Sequence, residues 1–261
     1  MLDKESLLAE IDAKEKELGD KVIDKAEQVL RVYQPQFTNF FTPRELHIAR
    51  EVLERIRDVK HFTYGGYKKA ERQVVGVMPD YYIPDTVNPP LKLLEITGQF
   101  KFQEVSHRDF LGAILGTGIR RDQVGDLIVY KGGCQAVIKE ELVDYIKLNL
   151  TKVHKIGVGV EEISFDKLRE PTERIKEIRD TVPSLRLDSV ASSGFSTSRN
   201  KMSKEISRGN VRVNWKVRED QSYMVDPDDI ISIRGRGRVE IDEILGRSHK
   251  GRIKLRLKRY L

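Results

Sequence analysis

Lys201, Lys204 and Arg208 recur at steps of three and four residues, which on a helix places them within about 60° of one another at about 100° per residue. Met202 and Ile206 fall on the other side. Such a helix can bury one face and present three cations on the other, and the chemistry this serves is contact with phosphates. The run Ser196-Thr197-Ser198 offers N-caps for a helix from Arg199 to Arg208, closed by Gly209 at the C′ position. Its first turn adds unpaired backbone N–H groups and the positive end of the helix dipole beside Ser198 and Arg199, a setting suited to a phosphate. Arg199 projects near the apolar edge, where packing or a salt bridge is the competing reading. For the stripe as a whole the competing reading is an ordinary solvated face; acidic residues are nearly absent from it.

Two more basic arrays lie downstream. Arg234-Gly235-Arg236-Gly237-Arg238 sets three guanidinium groups on a backbone that can approach a partner closely, unless it is simply a soluble turn. Lys254, Arg256 and Lys258 alternate with Ile253, Leu255 and Leu257, so the three cations are expected on one face of a strand. Arginine suits the task because its planar fork meets phosphate oxygens bidentately.

Other chemistries find little support. The single cysteine, Cys134, excludes an internal disulfide and fits a reducing compartment. His47, His61, His107, His154 and His249 are scattered, without a second ligand at metal spacing, so neither a metal nor any other cofactor is expected. Gly112, Gly116 and Gly118 fit neither the dinucleotide nor the P-loop pattern and are read as close helix packing with a glycine stop. His107-Arg108 beside Arg120-Arg121 is either a second RNA contact or a helix start and basic loop that stabilise their own domain.

The elements that must position these residues follow from periodicity. Residues 3–32 read as helix, with Gly19 a potential break, and Thr42-Pro43-Arg44-Glu45 opens another through a capping box. Strands are expected at Gln73 to Met78 and Leu91 to Ile96, a helix from His107 to Leu115, and a hairpin of Asp126 to Tyr130 with Cys134 to Ile138. A helix over Glu140 to Val153 and a closing strand from Gly157 to Phe165 complete a β-β-α-β-β-α-β order. The fold class expected is α+β: a helical segment over 1–70, an RNA-recognition-motif-like (ferredoxin-like) α/β sandwich over 71–168, a polar connection over 169–184, and a helix pair with short strands over 185–261.

Charge singles out the last of these. Of 47 Lys+Arg and 41 Asp+Glu, residues 185–261 hold 18 and 10, a net of +8, and the remainder carries a net of −2. The whole positive excess sits in one C-terminal module, the electrostatic footprint of a polyanion partner. No apolar run of membrane-spanning length and no signal-peptide core appear, so cytoplasmic residence without membrane insertion is expected.

The run RLDSVASSGFSTSRNKMSKEISRGNVRVN from Arg186 resembles the S-four RNA-binding domain, a module of the αL type shared by a small-subunit ribosomal protein, some tRNA synthetases and pseudouridine synthases. The resemblance implies RNA contact by Arg186, Ser198, Arg199, Lys201, Lys204 and Arg208, with Asp188 and Asn214 structural. GGYKKAERQ (Gly65 to Gln73), PDY (Pro79 to Tyr81) and SHRDFLGAILGTGIRRDQVGDLIV (Ser106 to Val129) are similar to the YlmH family of ribosome-associated proteins. That likeness implies structured RNA as partner (ribosomal RNA, tRNA or both), the large ribosomal subunit, and a part in translation, ribosome quality control or assembly, without DNA specificity. Trp215, where many S-four domains have Gly, and the LGTGI spelling resemble the cyanobacterial and plastid branch, some of whose members are linked to photosystem II; for that branch the compartment would be the plastid stroma.

Two rival functions remain distinguishable. Pseudouridine synthases carry RLDxxTSG around a catalytic aspartate, whereas Arg186-Leu187-Asp188 leads to Gly194 one residue out of step and inside the binding module, so no enzyme activity is expected. A protein-interaction scaffold would use the N-terminal helices and middle domain, and its binding would not weaken steeply with salt. The RNA contacts expected are those the resemblance implies, Arg186, Ser198, Arg199, Lys201, Lys204 and Arg208, with the basic turn residues Arg234, Arg236 and Arg238 beside them. The middle domain lacks the aromatic-rich strands on which RNA-recognition motifs stack bases.

Overall fold

The computed structural model describes residues 2–13, 15–100, 105–171 and 175–260. Lys14 of the expected first helix, residues 172–174 of the expected connection and Leu261 lie outside the described residues. The chain divides into two compact units, Met1–Pro171 and Thr172–Leu261.

The first unit starts with α1 (Lys4–Leu7), a single turn in which the Asp3 carboxylate accepts from the Ser6 N–H, and then reverses into α2 (Lys16–Val32). The helix expected over 3–32 is two pieces, but the break falls before Lys16 and not at the potential break Gly19, which lies within the second. A Cβ on Gly19 would fall 2.3 Å from the Leu8 side chain, so the glycine is where α1 folds back onto α2. After β1 (Gln36–Phe37), α3 (Pro43–Leu53) opens with the anticipated capping box: the Thr42 hydroxyl accepts from the Glu45 N–H, and the Glu45 carboxylate from the Thr42 N–H at 2.6 Å. Strands β2 (Val59–Tyr64) and β3 (Val74–Pro79) follow, in a sheet of order β1-β3-β2.

Two expectations change here. The 1–70 segment is helices packed on a sheet rather than helices alone, and Val74–Val77 serves that sheet instead of the middle domain. Every residue of β3 is buried, since Val75 and Val77 join the core beneath α2 and α3 while Val74 packs on the opposite side. A strand covered on both faces reads as a continuous apolar run, which gives no clue to its partner.

The middle sheet contains β4 (Leu91–Gly98), then α4 (His107–Gly116), β5 (Val124–Tyr130), β6 (Gly133–Lys139), α5 (Val143–Asn149), β7 (Lys152–Val153) and β8 (Ile156–Ile163). Its order is β5-β6-β4-β8-β7 with antiparallel neighbours, the split β-α-β-β-α-β arrangement of the ferredoxin-like fold plus a short edge strand. The helix expected over 140–153 is confined to α5, and its last residues form β7. Leu94, Ile96, Ala136 and Ile138 face α4 and α5, meeting Phe110, Ile114, Val143 and Ile146. On the other face Leu91, Leu93 and Val137 pack against Phe40, Val74 and Phe165, so the surface on which RNA-recognition motifs stack bases is consumed as protein core.

In the second unit β9 (Ile175–Val182) leads to α6 (Leu187–Gly194), α7 (Arg199–Ser207), β10 (Val211–Val213), β11 (Lys216–Val217), β12 (Ile230–Ile233), β13 (Gly237–Arg247) and β14 (Ile253–Tyr260). The sheet order is β11-β10-β12-β13-β14-β9. Residues 169–184, expected as a connection, therefore include an eight-residue strand paired with β14 from Ile175↔Tyr260 to Val182↔Ile253. Val182 is its single buried residue; as an edge strand it is held by backbone hydrogen bonds rather than apolar periodicity, and so left no pattern to read. The β10–β11 turn puts Asn214 (φ 48°) and Trp215 (φ 63°) in the left-handed region, as a two-residue type I′ turn requires, which explains why glycine is common after VxVN.

Gly112 and Gly116 correct another expectation. They lie on the exposed side of α4, opposite buried Phe110 and Ile114, and a Cβ at either would meet no atom within 4 Å. Close packing is not their reason. Gly112→Ala is expected to raise the stability of the chain by about 1 kcal/mol, the helix-propensity difference, read as a higher urea midpoint at unchanged slope.

Candidate nucleic-acid interface

The second unit builds its basic surface on α6 and α7. Met202 and Ile206 are fully buried against Leu187, Val190, Phe195 and the sheet residues Val211 and Val239. That fixes the rotation of α7 and leaves Lys201, Lys204 and Arg208 exposed, as their spacing requires. Ser198 caps the helix, its hydroxyl accepting from the Lys201 N–H at 3.3 Å. Arg208 is the C-cap residue, 4.0 Å from Glu205, and Gly209 follows at φ 71°. Glu205 is the one acidic residue of α7 and accepts from the Asn210 amide at 2.8 Å; Lys201 and Lys204 have no carboxylate within ion-pair reach among the described residues.

Asp188 organises the start of the surface. Its side chain is 4% exposed and receives two arginines: Arg199 through Nε at 3.0 Å and Nη2 at 2.9 and 3.1 Å, and Arg186 through Nε and Nη2 at 3.3 Å each. The salt-bridge reading of Arg199 is thus the one realised, and the structural role expected of Asp188 is explicit. Burial opposes ionisation of this carboxyl, but the hydrogen bonds and charges of Arg186 and Arg199 outweigh it and hold it below the ordinary aspartate range. Both arginines remain partly solvent-accessible, with guanidinium groups fixed in place.

The Arg-Gly repeat divides by position. Arg234 is exposed on the β12–β13 turn. Arg236 donates to the Phe195 carbonyl at 3.3 Å and lies over the Phe195 ring, which Arg259 approaches too, at 5.7 and 5.5 Å from the centroid. Arg238 stacks over Tyr260 at 4.6 Å. The turn is therefore anchored beside the α6–α7 junction. The alternating cations of β14 behave differently: Arg256 pairs with Asp242 and Glu243, and Lys258 with Asp242 and Glu240. That face is a cross-strand ion-pair ladder, invisible without the register that sets Glu240 opposite Lys258 and Glu243 opposite Arg256. Arg179 and Arg252 line a cleft with Ser192, Ser196, Thr197 and Arg199, a grouping that only the pairing of β9 with β14 brings together.

Two arginines of the second basic cluster are engaged within their own domain. Arg121 donates to the carbonyls of Val124 and Gly125, and Arg120 pairs with Asp122 at 3.1 Å. Asp109 caps α4 through Ser106 and takes His154 at 2.9 Å. These contacts match the stabilising alternative for Arg120 and Arg121, while His107 and Arg108 stay exposed. Cys134 is buried, and burial pushes its thiol up to about 12, which removes it as a nucleophile near neutral pH. Among the described residues no group of three or more His, Cys, Asp or Glu is placed to hold a metal, and no helix is long and apolar enough to cross a membrane.

Asp188→Asn is expected to destabilise the second unit by about 1–3 kcal/mol at pH 7, since it leaves two guanidinium groups without their charged acceptor. The folded-state pKa of Asp188 is lowered, so its contribution is complete above the unfolded aspartate value of about 3.9 and disappears as pH falls through the folded value. Parallel denaturation of wild type and variant should show the gap at pH 7 closing in acid.

Comparison with known proteins agrees with this layout. Residues 14–82 match the model "YlmH, N-terminal", residues 84–167 "Putative RNA-binding domain in YlmH", and residues 185–231 the S4 domain. The ribosome-associated protein quality control protein P2 of Bacillus subtilis is 35% identical over 241 residues, covering 91% of this chain and 93% of that protein. Small ribosomal subunit protein uS4 of Thermoanaerobacter is 33% identical over 115 residues, 42% of this chain and 56% of that protein. The solved structure of cell division protein ylmH from Streptococcus pneumoniae has a TM-score of 0.53 at 25% identity, covering 61% of this chain and 97% of its own. With the Bacillus subtilis protein aligned along nine-tenths of its length at 35% identity and models of both other YlmH segments beside the S4 match, the chain belongs to the YlmH family.

Proposed function

We propose that this protein is a non-enzymatic RNA-binding protein of the ribosome, which docks on structured ribosomal RNA or tRNA through the α6–α7 surface and acts in ribosome-associated quality control. The observation that carries the reading is the exposed pair Lys201 and Lys204 on a helix whose rotation is fixed by Met202 and Ile206, beside two arginines oriented by one buried aspartate. Exposed lysines with no carboxylate in ion-pair reach, on a helix whose rotation is fixed, are suited to adjacent phosphates. Arg186, Ser198, Arg199 and Arg208 extend the contact along α6 and α7, and Arg234, Arg236 and Arg238 flank it. The Bacillus subtilis relative is named as a ribosome-associated quality control protein, and the alignment of both chains over nine-tenths of their lengths supports the same setting here. The large ribosomal subunit is the part of the ribosome this reading assigns as partner.

Asp188 favours binding over catalysis. Guanidinium groups of Arg186 and Arg199 hold its carboxylate, a positioning arrangement, and Gly194 remains out of step with the synthase motif.

The test is a titration of the full chain against ribosomal RNA at several salt concentrations. Replacing Lys201, Lys204 and Arg208 with Ala is expected to cost within about 0.5 kcal/mol of stability. It should weaken binding and lower the salt slope by up to about three units, about one per lost phosphate contact. Unchanged affinity and slope in a folded triple variant would remove α7 as the docking element.

A further inference from the structure

The S4 match ends at residue 231, and the long β13–β14 hairpin lies beyond it. The two strands outrun the core. Val239, Ile241, Leu255 and Leu257 are fully buried, but no residue from Ile244 to Arg252 is. In that projecting part the sequence places Arg247, His249, Lys250, Arg252 and Lys254, all exposed, with no Asp or Glu between Ile244 and Lys254. The same tip exposes two large apolar side chains, Ile244 at 38% and Leu245 at 41%.

The arm has a defined shape. The Ser248 N–H donates to the Arg252 carbonyl at 2.8 Å, and the Arg252 side chain donates to Thr181 of β9. Register shifts between Ile241 and Glu243 and between Ile244 and Arg247 bulge β13, a device that bends a strand and redirects its side chains. Arg252, in the turn of the hairpin, lines the cleft shared with Ser196, Thr197 and Arg199, so the end of the hairpin adjoins the start of α7. Nearer the core the sheet cancels its cations against Glu240, Asp242 and Glu243; the hairpin has no acidic residue between Ile244 and Lys254, and Asp180 of the neighbouring β9 is engaged by the Ser193 hydroxyl at 2.6 Å.

We propose that this hairpin arm is a second RNA contact, which lies along a double-stranded stem flanking the segment held by α7. The inference rests on the RNA-binding reading above. Arg247, Lys250 and Lys254 meet backbone phosphates, and Ile244 and Leu245 press on sugars and base edges. An A-form stem offers a wide, shallow minor groove, and the basic end of the hairpin, with β9 beside β14, can lie across it. Double-stranded RNA is favoured over an acidic protein or a lipid surface because the arm continues the basic surface of α7, and one polyanion can span both.

The full-length chain is titrated at several salt concentrations against a fluorescein-labelled RNA stem-loop, a non-pairing RNA strand of equal length, and phosphatidylglycerol vesicles. The arm variant carries R247Q, K250Q and K254Q and keeps Arg252, which ties the arm to Thr181. It is expected to lose about tenfold in stem-loop affinity and about three units of salt slope at unchanged melting temperature. The strand should be affected less. A second variant, I244S with L245S, should weaken stem-loop binding at unchanged slope. The Lys201, Lys204 and Arg208 triple Ala variant serves as reference and should weaken both RNA probes. If the arm variant keeps full stem-loop affinity and slope while the α7 variant loses them, the arm proposal is overturned and the RNA-binding reading stands. Loss of vesicle binding alone in the arm variant overturns it in favour of an anionic lipid surface. Failure of the wild-type chain to bind either RNA overturns both.

Discussion

The basic surface of the second unit depends on a carboxylate taken out of water. Asp188 sits at the start of α6 with its side chain 4% exposed, and two guanidinium groups from different elements converge on it. Removing a carboxylate from solvent is expensive unless charge and hydrogen bonds return what hydration supplied. Arg199 comes from α7, so the ion pair joins the two helices at the point where α7 begins. Met202 and Ile206 then set the helix rotation from the other side. Together these contacts turn a run of cations into a surface with fixed geometry, which limits the ordering entropy that binding must overcome.

Beyond that surface, charge is handled in two ways. Across β13 and β14 the cations of one strand lie opposite the acids of the next, and the face is nearly self-neutralising. On α7 and on the hairpin arm the acids are engaged or absent. The net charge of the unit understates this difference, because attraction for a polyanion depends on where the uncompensated cations sit.

The first unit makes a different use of a familiar architecture. Its ferredoxin-like sheet has one face under α4 and α5 and the other under Phe40, Val74 and Phe165. Gln135, 1% exposed on β6, donates to the Lys167 carbonyl at 3.0 Å and accepts from the Arg169 N–H at 2.7 Å, so polar groups on the covered side are also engaged within the unit. The missing aromatic stacking residues thus have a structural counterpart: the face is occupied by the protein's own core, and any partner of this domain meets its helices, loops or edges.

Much of the second unit was legible residue by residue. The period of Met202 and Ile206 against Lys201, Lys204 and Arg208, the Ser198 cap and Gly209 are local signals, each set by helical geometry over a few residues. The same holds for the Thr42–Glu45 capping box and for the middle domain's order from Leu91 on, though the strand expected ahead of it belongs to the first sheet. Long-range pairing was not legible. The sequence of β3 does not say which sheet it enters, because a strand buried on both faces carries no alternation; β9 is held by backbone hydrogen bonds to a strand some 75 residues away in the chain. Whether a cation is free also depends on register and on burial: Arg256 and Lys258 look like Lys201 and Lys204 until β13 is laid beside them. The sequence alone determined the helix faces, the caps and the location of the positive charge, since these follow from spacing along the chain. Tertiary structure decided which charges remain uncompensated, which sheet face is open and how Arg186 and Arg199 meet on Asp188, since each of these depends on residues that only folding brings together.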